Sequence, residues 1–170
     1  AWFMDQSLLG MRVQDVLRSV DYAMSRGDAG DKPLHVIGRG MGGLWCLYAA
    51  ALDPRIRALI CVRSLLSYRC LTQVDRYVYG ADVFIPDVLL DLDLPQVAGA
   101  MAVRPLALVL PTDAMKNVVE VGVARETYQC ALGAYKSAGL ENLLLIESKA
   151  AGLETPDHYL DLIRGFQASS

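Results

Sequence analysis

Three features of the sequence could support chemistry, and each one follows a short apolar run. A glycine-rich segment occupies residues 38–43, and Asp113 and His158 come shortly after later apolar runs. A nucleophile, a carboxylate and a histidine in that order along a chain are the parts of a catalytic triad for acyl transfer. The nucleophile is missing here, because Gly40 stands in the middle of the segment, where the chemistry needs Ser, Cys or Asp.

The glycine segment matches two motifs, and the first is the nucleophile elbow. Residues Gly38-Arg39-Gly40-Met41-Gly42 fit the pattern G-x-S-x-G with glycine in place of serine. Such an elbow is a sharp, strained turn between a strand and a helix, and it exposes its central residue. We therefore expect Gly40 to hold a vacant nucleophile position and the outer glycines, Gly38 and Gly42, to pack closely on neighbouring elements.

The second motif is a dinucleotide fingerprint, Gly38-x-Gly40-x-x-Gly43, between an apolar run and a predicted helix. Its glycines would let a pyrophosphate approach the amino terminus of the helix. The acidic residue that binds the ribose about 20 residues later is absent, because the next apolar run ends in Val62-Arg63-Ser64. An arginine at that place suits a 2′-phosphate, so an NADP-binding domain of the Rossmann type remains an alternative.

The other residues with reactive or ligating side chains have structural interpretations. Cys46 and Cys61 lie inside apolar runs and are predicted to be core residues. His35 begins an apolar run, far from the expected functional edge, and Arg39 is expected to be solvated or ion-paired. The four cysteines and two histidines lack the spacing of zinc ligands, so we predict no metal site and no cofactor.

Composition narrows the class of protein. The chain has 170 residues, of which 54% are hydrophobic, as in domains whose parallel sheet is buried on both faces. We predict a single domain over residues 1–170. The net charge of −3 and the lack of a basic block argue against nucleic acid as a partner. The apolar runs are shorter than the roughly 18 residues that cross a bilayer, so no membrane span is predicted.

The elements that must position these residues alternate along the chain. Apolar runs predict strands over 34–37, 57–62, 106–110 and 143–146. Helices are predicted over 7–26, 44–52, 94–101, 123–138 and 158–166. This alternation predicts an α/β fold, a parallel sheet with helices on both faces. Functional residues of such sheets lie beyond the carboxyl ends of the strands, where the glycine turn, Asp113 and His158 are all expected.

Six stretches, taken in chain order, carry a resemblance to a known family. They are 9–22 (LGMRVQDVLRSVDY), 35–44 (HVIGRGMGGL), 47–55 (LYAAALDPR), 66–68 (LSY), 85–95 (IPDVLLDLDLP) and 102–106 (AVRPL). In this order they resemble bacterial α/β-hydrolases of the acetyl xylan esterase-like type, which are carboxyl-ester hydrolases. The likeness covers most of the chain.

The resemblance implies a role for each candidate residue. Gly40 occupies the place of the nucleophilic serine, and the N–H of Met41 is part of the oxyanion hole. Asp113 is the acid, and His158 is the base. The implied ligand is an acylated or carbohydrate-like small molecule, and members of such a family are compatible with a secreted or periplasmic location.

The resemblance also implies that the chain is the C-terminal part of a larger α/β-hydrolase fold, about four strands of it. The N-terminal strands of the fold would then be missing, and the strand at 34–37 would have an open edge. We expect that edge to be covered by the missing N-terminal half, by a partner chain or by a second copy.

These observations leave three hypotheses for function. The favoured one is a hydrolase-fold domain that is catalytically degenerate, because loss of the triad serine costs about 10⁶ in kcat in subtilisin. It would bind a ligand or serve as a structural or assembly domain. The second is an active esterase, in which His158 and Asp113 activate water, or a variant in which glycine has replaced serine. The third is the NADP-binding domain.

Overall fold

The computed structural model describes residues 7–28, 32–148 and 154–168. Four strands form one parallel sheet in the order β1-β2-β3-β4. They are β1 (Leu34–Arg39), β2 (Ile56–Val62), β3 (Leu106–Val109) and β4 (Leu144–Glu147). The predicted α/β fold with a parallel sheet of about four strands is therefore confirmed.

Eight α-helices surround the sheet within the described residues. They are α1 (Leu8–Ser25), α2 (Met41–Leu52), α3 (Arg69–Thr72), α4 (Val88–Asp91), α5 (Leu94–Gly99), α6 (Val121–Thr127), α7 (Gln129–Ser137) and α8 (Pro156–Ala168). Single 3₁₀ turns lie at Ala81–Val83 and Glu141–Leu143. None of the described helices combines the length and the apolar composition that crossing a bilayer requires.

Alternate residues of the strands face two separate hydrophobic clusters. Helices α1, α2, α5 and α7 cover one face, on which Leu59, Cys61 and Leu108 point toward them. Helix α8 covers the other face through Phe166, which packs with Ile60 and the other residues of that face. This period of two is what a sheet buried on both sides requires, and it confirms helices on both faces.

The helix predicted over 123–138 is in fact two helices. The apolar pattern over 123–138 is continuous, but α6 ends and α7 begins around Tyr128, whose ring is fully buried. Its backbone, at φ −91° and ψ 17°, interrupts the helical geometry. Gly139 closes α7 in the left-handed conformation, at φ 73°, as its place at the end of the pattern predicts.

The two cysteines predicted to lie in the core are Cys46 and Cys61, and one of them contacts the glycine segment. Cys46 and Cys61 are both buried, as expected. The thiol of Cys61 donates to the carbonyl oxygen of Gly43 at 3.4 Å. Burial raises the pKa of Cys46 to about 11 and raises the pKa of Cys61 as well, so both thiols stay protonated and unreactive at neutral pH.

Candidate active site

Gly40 forms the turn between β1 and α2, and its backbone conformation is one that favours glycine. It has φ 56° and ψ −123°, a conformation that residues with a side chain rarely adopt. Its N–H donates to the carbonyl oxygen of Val62 at 2.8 Å, which ties the turn to β2. A Cβ added at Gly40 would meet nothing within 4 Å. The turn thus has open space at the point where an elbow exposes its central residue.

The close packing of the turn involves Gly38 and Gly43. A Cβ on Gly38 would lie 2.5 Å from the Cα of Gly43 and 2.6 Å from the carbonyl oxygen of Gly42. A Cβ on Gly43 would overlap the hydroxyl of Ser64. Gly42 has no neighbour within 4 Å of its added Cβ. The close contact predicted for Gly38 is therefore present, and the one expected at Gly42 is found at Gly43 instead.

Met41 is the first residue of α2, which has 12 residues. The first amides of a helix have no acceptor within the helix, and they point out of its positive end. The N–H of Met41 is therefore oriented as a donor at the turn. This position is the one that an oxyanion donor needs, immediately after the exposed central residue.

Asp113 follows β3, and its carboxylate holds its own loop together. One oxygen accepts from the N–H of Met115 at 2.8 Å and from the N–H of Asn117 at 2.9 Å. The other accepts from the side-chain amide of Asn117 at 3.1 Å. The carboxylate therefore acts as a turn-forming acceptor in this structure.

His158 lies in the first turn of α8, and its ring contacts a different acid. Its Nε2 is 2.8 Å from a carboxylate oxygen of Glu147, the last residue of β4. Among the contacts of the described residues, none joins His158 to Asp113. The structure thus places the glycine turn after β1, Asp113 after β3 and His158 in the first turn of α8, without linking the acid to the base.

Three charged side chains, those of Arg39, Arg63 and Glu154, meet at the carboxyl edge of the sheet. Glu154 accepts from Nε and Nη2 of Arg63, both at 2.8 Å, and from Nη2 of Arg39 at 2.7 Å. The Arg63 guanidinium, and to a lesser extent that of Arg39, lowers the pKa of the Glu154 carboxyl. Arg39 is ion-paired, as expected from the sequence. Neither Glu147 nor Glu154 was among the predicted site residues, because no motif or spacing connects them to their partners.

A cavity of about 630 Å³ opens beside Asp113. It lies between the segment after β2, the start of α5 and the helices α6 and α7. Its walls are Leu66, Ser67, Arg69, Cys70, Gln73, Asp93, Pro95, Gln96, Asp113, Val119, Val123, Thr127 and Cys130. Of the three candidate residues, Asp113 alone lines it. Within the described part of the chain, no group of three or more His, Cys, Asp or Glu side chains could hold a metal ion.

Comparisons with known proteins agree with this fold. No protein-family profile matches the chain. The candidate hydrolase YtaP of Bacillus subtilis is 32% identical over 99 residues, which cover 56% of this chain and 32% of YtaP. The crystal structure of a candidate acetyl xylan esterase from Bacteroides fragilis superposes with a TM-score of 0.64 at 17% identity. That superposition covers 88% of this chain and 38% of the other.

The chain has an esterase-like α/β fold. It also has a candidate hydrolase as a relative in sequence, and it spans about a third of the length of these two proteins. The likeness to the esterase structure concerns the arrangement of helices and strands. Activity and substrate have to be argued from the residues of this chain.

Proposed function

We propose that this chain is part of a hydrolase-fold protein whose nucleophile position is vacant, and that it binds an acylated or carbohydrate-like small molecule without turning it over. The observation that carries the proposal is the conformation of Gly40. Its φ of 56° and its open surroundings match a nucleophile elbow, and it has no side chain to attack an ester.

The remaining parts of the proposed triad support a degenerate site. A histidine base needs an acid on one ring nitrogen and the nucleophile on the other. Nε2 of His158 is bound to Glu147, and the carboxylate of Asp113 is engaged with residues of its own loop. Without the triad, an oxyanion donor such as the Met41 N–H would retain a rate enhancement of only about 10³–10⁴ over the reaction in water.

An active esterase that uses water is the second candidate. The open space at Gly40 is the observation that favours it, because a water molecule there could stand next to the N–H of Met41. His158 would have to release Glu147 in order to act as the base toward that water. The vacant-site proposal requires no such rearrangement, and for that reason we prefer it.

The NADP-binding alternative has less support. Close contact between Gly38 and Gly43 is also what the dinucleotide fingerprint needs. Dinucleotides, however, bind in the crevice where the strand order of a sheet reverses. Among the strands that the structure describes, the order β1-β2-β3-β4 runs in one direction and contains no such reversal. A titration followed by fluorescence tests this alternative, and we expect no quenching by NADP at millimolar concentration.

Restoring a hydroxyl at the turn tests the proposal. Gly40→Ser should be labelled covalently by a fluorophosphonate, because the elbow would present the new Oγ beside the Met41 N–H. Gly40→Ala is the matched control, since it imposes the same backbone strain and has no hydroxyl. Labelling also requires a base that activates the new hydroxyl, so His158 would have to release Glu147, and adding His158→Ala to Gly40→Ser should abolish the label.

Two results would contradict the proposal. If Gly40→Ser folds like the Ala variant and still takes no label, then Gly40 is not the nucleophile position of a site in which His158 is the base, and the proposal is wrong. If the unmodified chain hydrolyses a chromogenic acetyl ester and His158→Ala abolishes the turnover, the water mechanism is correct. We expect no turnover above background from the unmodified chain.

A further inference from the structure

We propose that Arg39 and Arg63 form a binding site for the carboxylate or phosphate group of a ligand, and that Glu154 fills this site from within the chain until the ligand displaces it. The site lies at the carboxyl edge of the sheet, next to the glycine turn. It does not depend on whether Gly40 is a vacant nucleophile position.

The two arginines are held at neighbouring strand ends. Arg39 is the last residue of β1 and is paired in register with Val62, and Arg63 follows Val62 directly. Both guanidinium groups contact the carboxylate of Glu154. Arg63 contacts it through two nitrogens and Arg39 through one. Forked contacts of this kind match the geometry of carboxylate and phosphate groups.

The cluster carries an excess of positive charge. Two guanidinium groups face one carboxylate, so one positive charge is left uncompensated within the three. Two other ion-paired arginines of the described chain carry no such excess. Arg26 pairs one to one with Asp28, and Arg55 contacts two carboxylates, those of Asp21 and Asp53. The Arg39 and Arg63 pair therefore offers an external anion more uncompensated positive charge than either of these two arginines does.

The internal contact is accessible and weak enough to be displaced. The Arg39 side chain is 61% exposed and that of Arg63 is 39% exposed, so a ligand can reach both. Ion pairs as exposed as these contribute little to stability, since water competes for both partners. A phosphate dianion would compensate both guanidinium charges, which the single charge of Glu154 cannot do.

The local backbone adds two features to the site. Arg63 is a non-glycine residue at φ 49°, in the left-handed region, and such conformations concentrate at ligand sites. Arg39 directly precedes Gly40 and the first turn of α2, whose amides and positive dipole end also favour an anion. The open space at Gly40 leaves room for the rest of the ligand.

Removing the internal competitor tests the proposal. We expect Glu154→Gln to bind inorganic phosphate about tenfold more tightly than the unmodified chain, because the arginines are then free in every molecule. Asp28→Asn is the matched control, since it also frees an arginine from a carboxylate but provides no second guanidinium. Adding Arg63→Ala to Glu154→Gln should remove the gain. Calorimetric titration measures all four proteins.

A parallel titration with butyrate distinguishes the two ligand chemistries. Phosphate binding that is much tighter than butyrate binding indicates a phosphate ligand, and equal binding indicates a carboxylate; both results support the site. If Glu154→Gln binds neither anion more tightly than Asp28→Asn does, the proposal is wrong.

A second measurement uses the unmodified chain. The guanidinium groups hold the pKa of Glu154 below its ordinary value, so the pKa of Glu154 should rise when saturating phosphate draws the arginines away. Carbon-13 NMR of the side-chain carboxyl follows this directly. A pKa of Glu154 that does not change at saturating phosphate would overturn the displacement.

Discussion

Gly38 is the residue at which the turn between β1 and α2 tolerates least change. A Cβ there would stand 2.5 Å from the backbone of Gly43 and 2.6 Å from that of Gly42, and backbone atoms cannot rotate away as a side chain can. The strand and the helix would have to separate to make room. The position of the Gly40 turn therefore depends on the absence of a side chain at Gly38.

We expect Gly38→Ala to lower the free energy of unfolding by at least about 2 kcal/mol, because overpacking displaces the backbone. Gly42→Ala is the matched control, since its added Cβ meets nothing within 4 Å and lies in a helix, where Ala is preferred to Gly. Urea denaturation measures both variants. Equal stabilities of the two would show that the close approach of Gly38 to Gly43 does not constrain the turn.

Residue types alone predicted part of the candidate site. The glycine pattern correctly indicated a strand, a turn and a helix, and it correctly indicated a close contact at Gly38. The partners of His158 and Arg63 were not predictable, because Glu147 and Glu154 lie 11 and 91 residues away from them and reach them only after α8 folds back on the sheet. Contacts of that kind depend on tertiary structure and leave no local pattern.

At the scale of elements, helix caps show why some boundaries were predictable. The helix predicted over 7–26 begins with Ser7, a residue type that caps helices, and the Oγ of Ser7 accepts from the N–H of Gly10 at 3.0 Å. A helix was also expected after Asp93, and α5 begins there with Gln96 completing a capping box. The division between α6 and α7 at Tyr128 was missed because the apolar pattern over 123–138 continues across it.

The side chains of Asp93 and Ser7 accept hydrogen bonds from different numbers of backbone amides, and this difference predicts different losses of stability when each is removed. Asp93 is 5% exposed, and it accepts from the N–H groups of Leu94, Tyr68 and Arg69. Asp93→Ala would lose a cap and also leave two further amides without an acceptor, at a cost of about 3 kcal/mol. Ser7→Ala should cost about 1 kcal/mol, because only one exposed cap is lost.

Urea denaturation of both cap variants checks this prediction, and Asp93→Asn serves as the conservative control. The Asn variant keeps one carbonyl acceptor and should fall between the unmodified chain and Asp93→Ala. If Asp93→Ala costs no more than Ser7→Ala, then Asp93 does not hold the segment after β2 against α5. The cavity beside Asp113, which Asp93 also lines, would then lack that support.

At the scale of the whole molecule, the main question is what pairs with β1. This strand lies at the end of the sheet order, and Ile37 on it is 45% exposed. The chain corresponds to 38% of the esterase structure it superposes on. We propose, as the sequence suggested, that the edge is covered by further strands of the same fold, by a partner chain or by a second copy.

The isolated 170-residue chain should therefore associate with itself through β1. We expect Ile37→Lys to weaken this association, because a charge on an edge strand opposes pairing. Tyr22→Lys is the matched control, since Tyr22 is 66% exposed on α1, which is not part of the sheet. Sedimentation equilibrium in the micromolar range measures the three proteins. If the unmodified chain is monomeric throughout this range, or if both lysine variants dissociate it equally, the unpaired strand does not drive association.

If only Ile37→Lys dissociates it, the interface lies at the β1 edge. A second copy of the chain would then be enough to cover that edge.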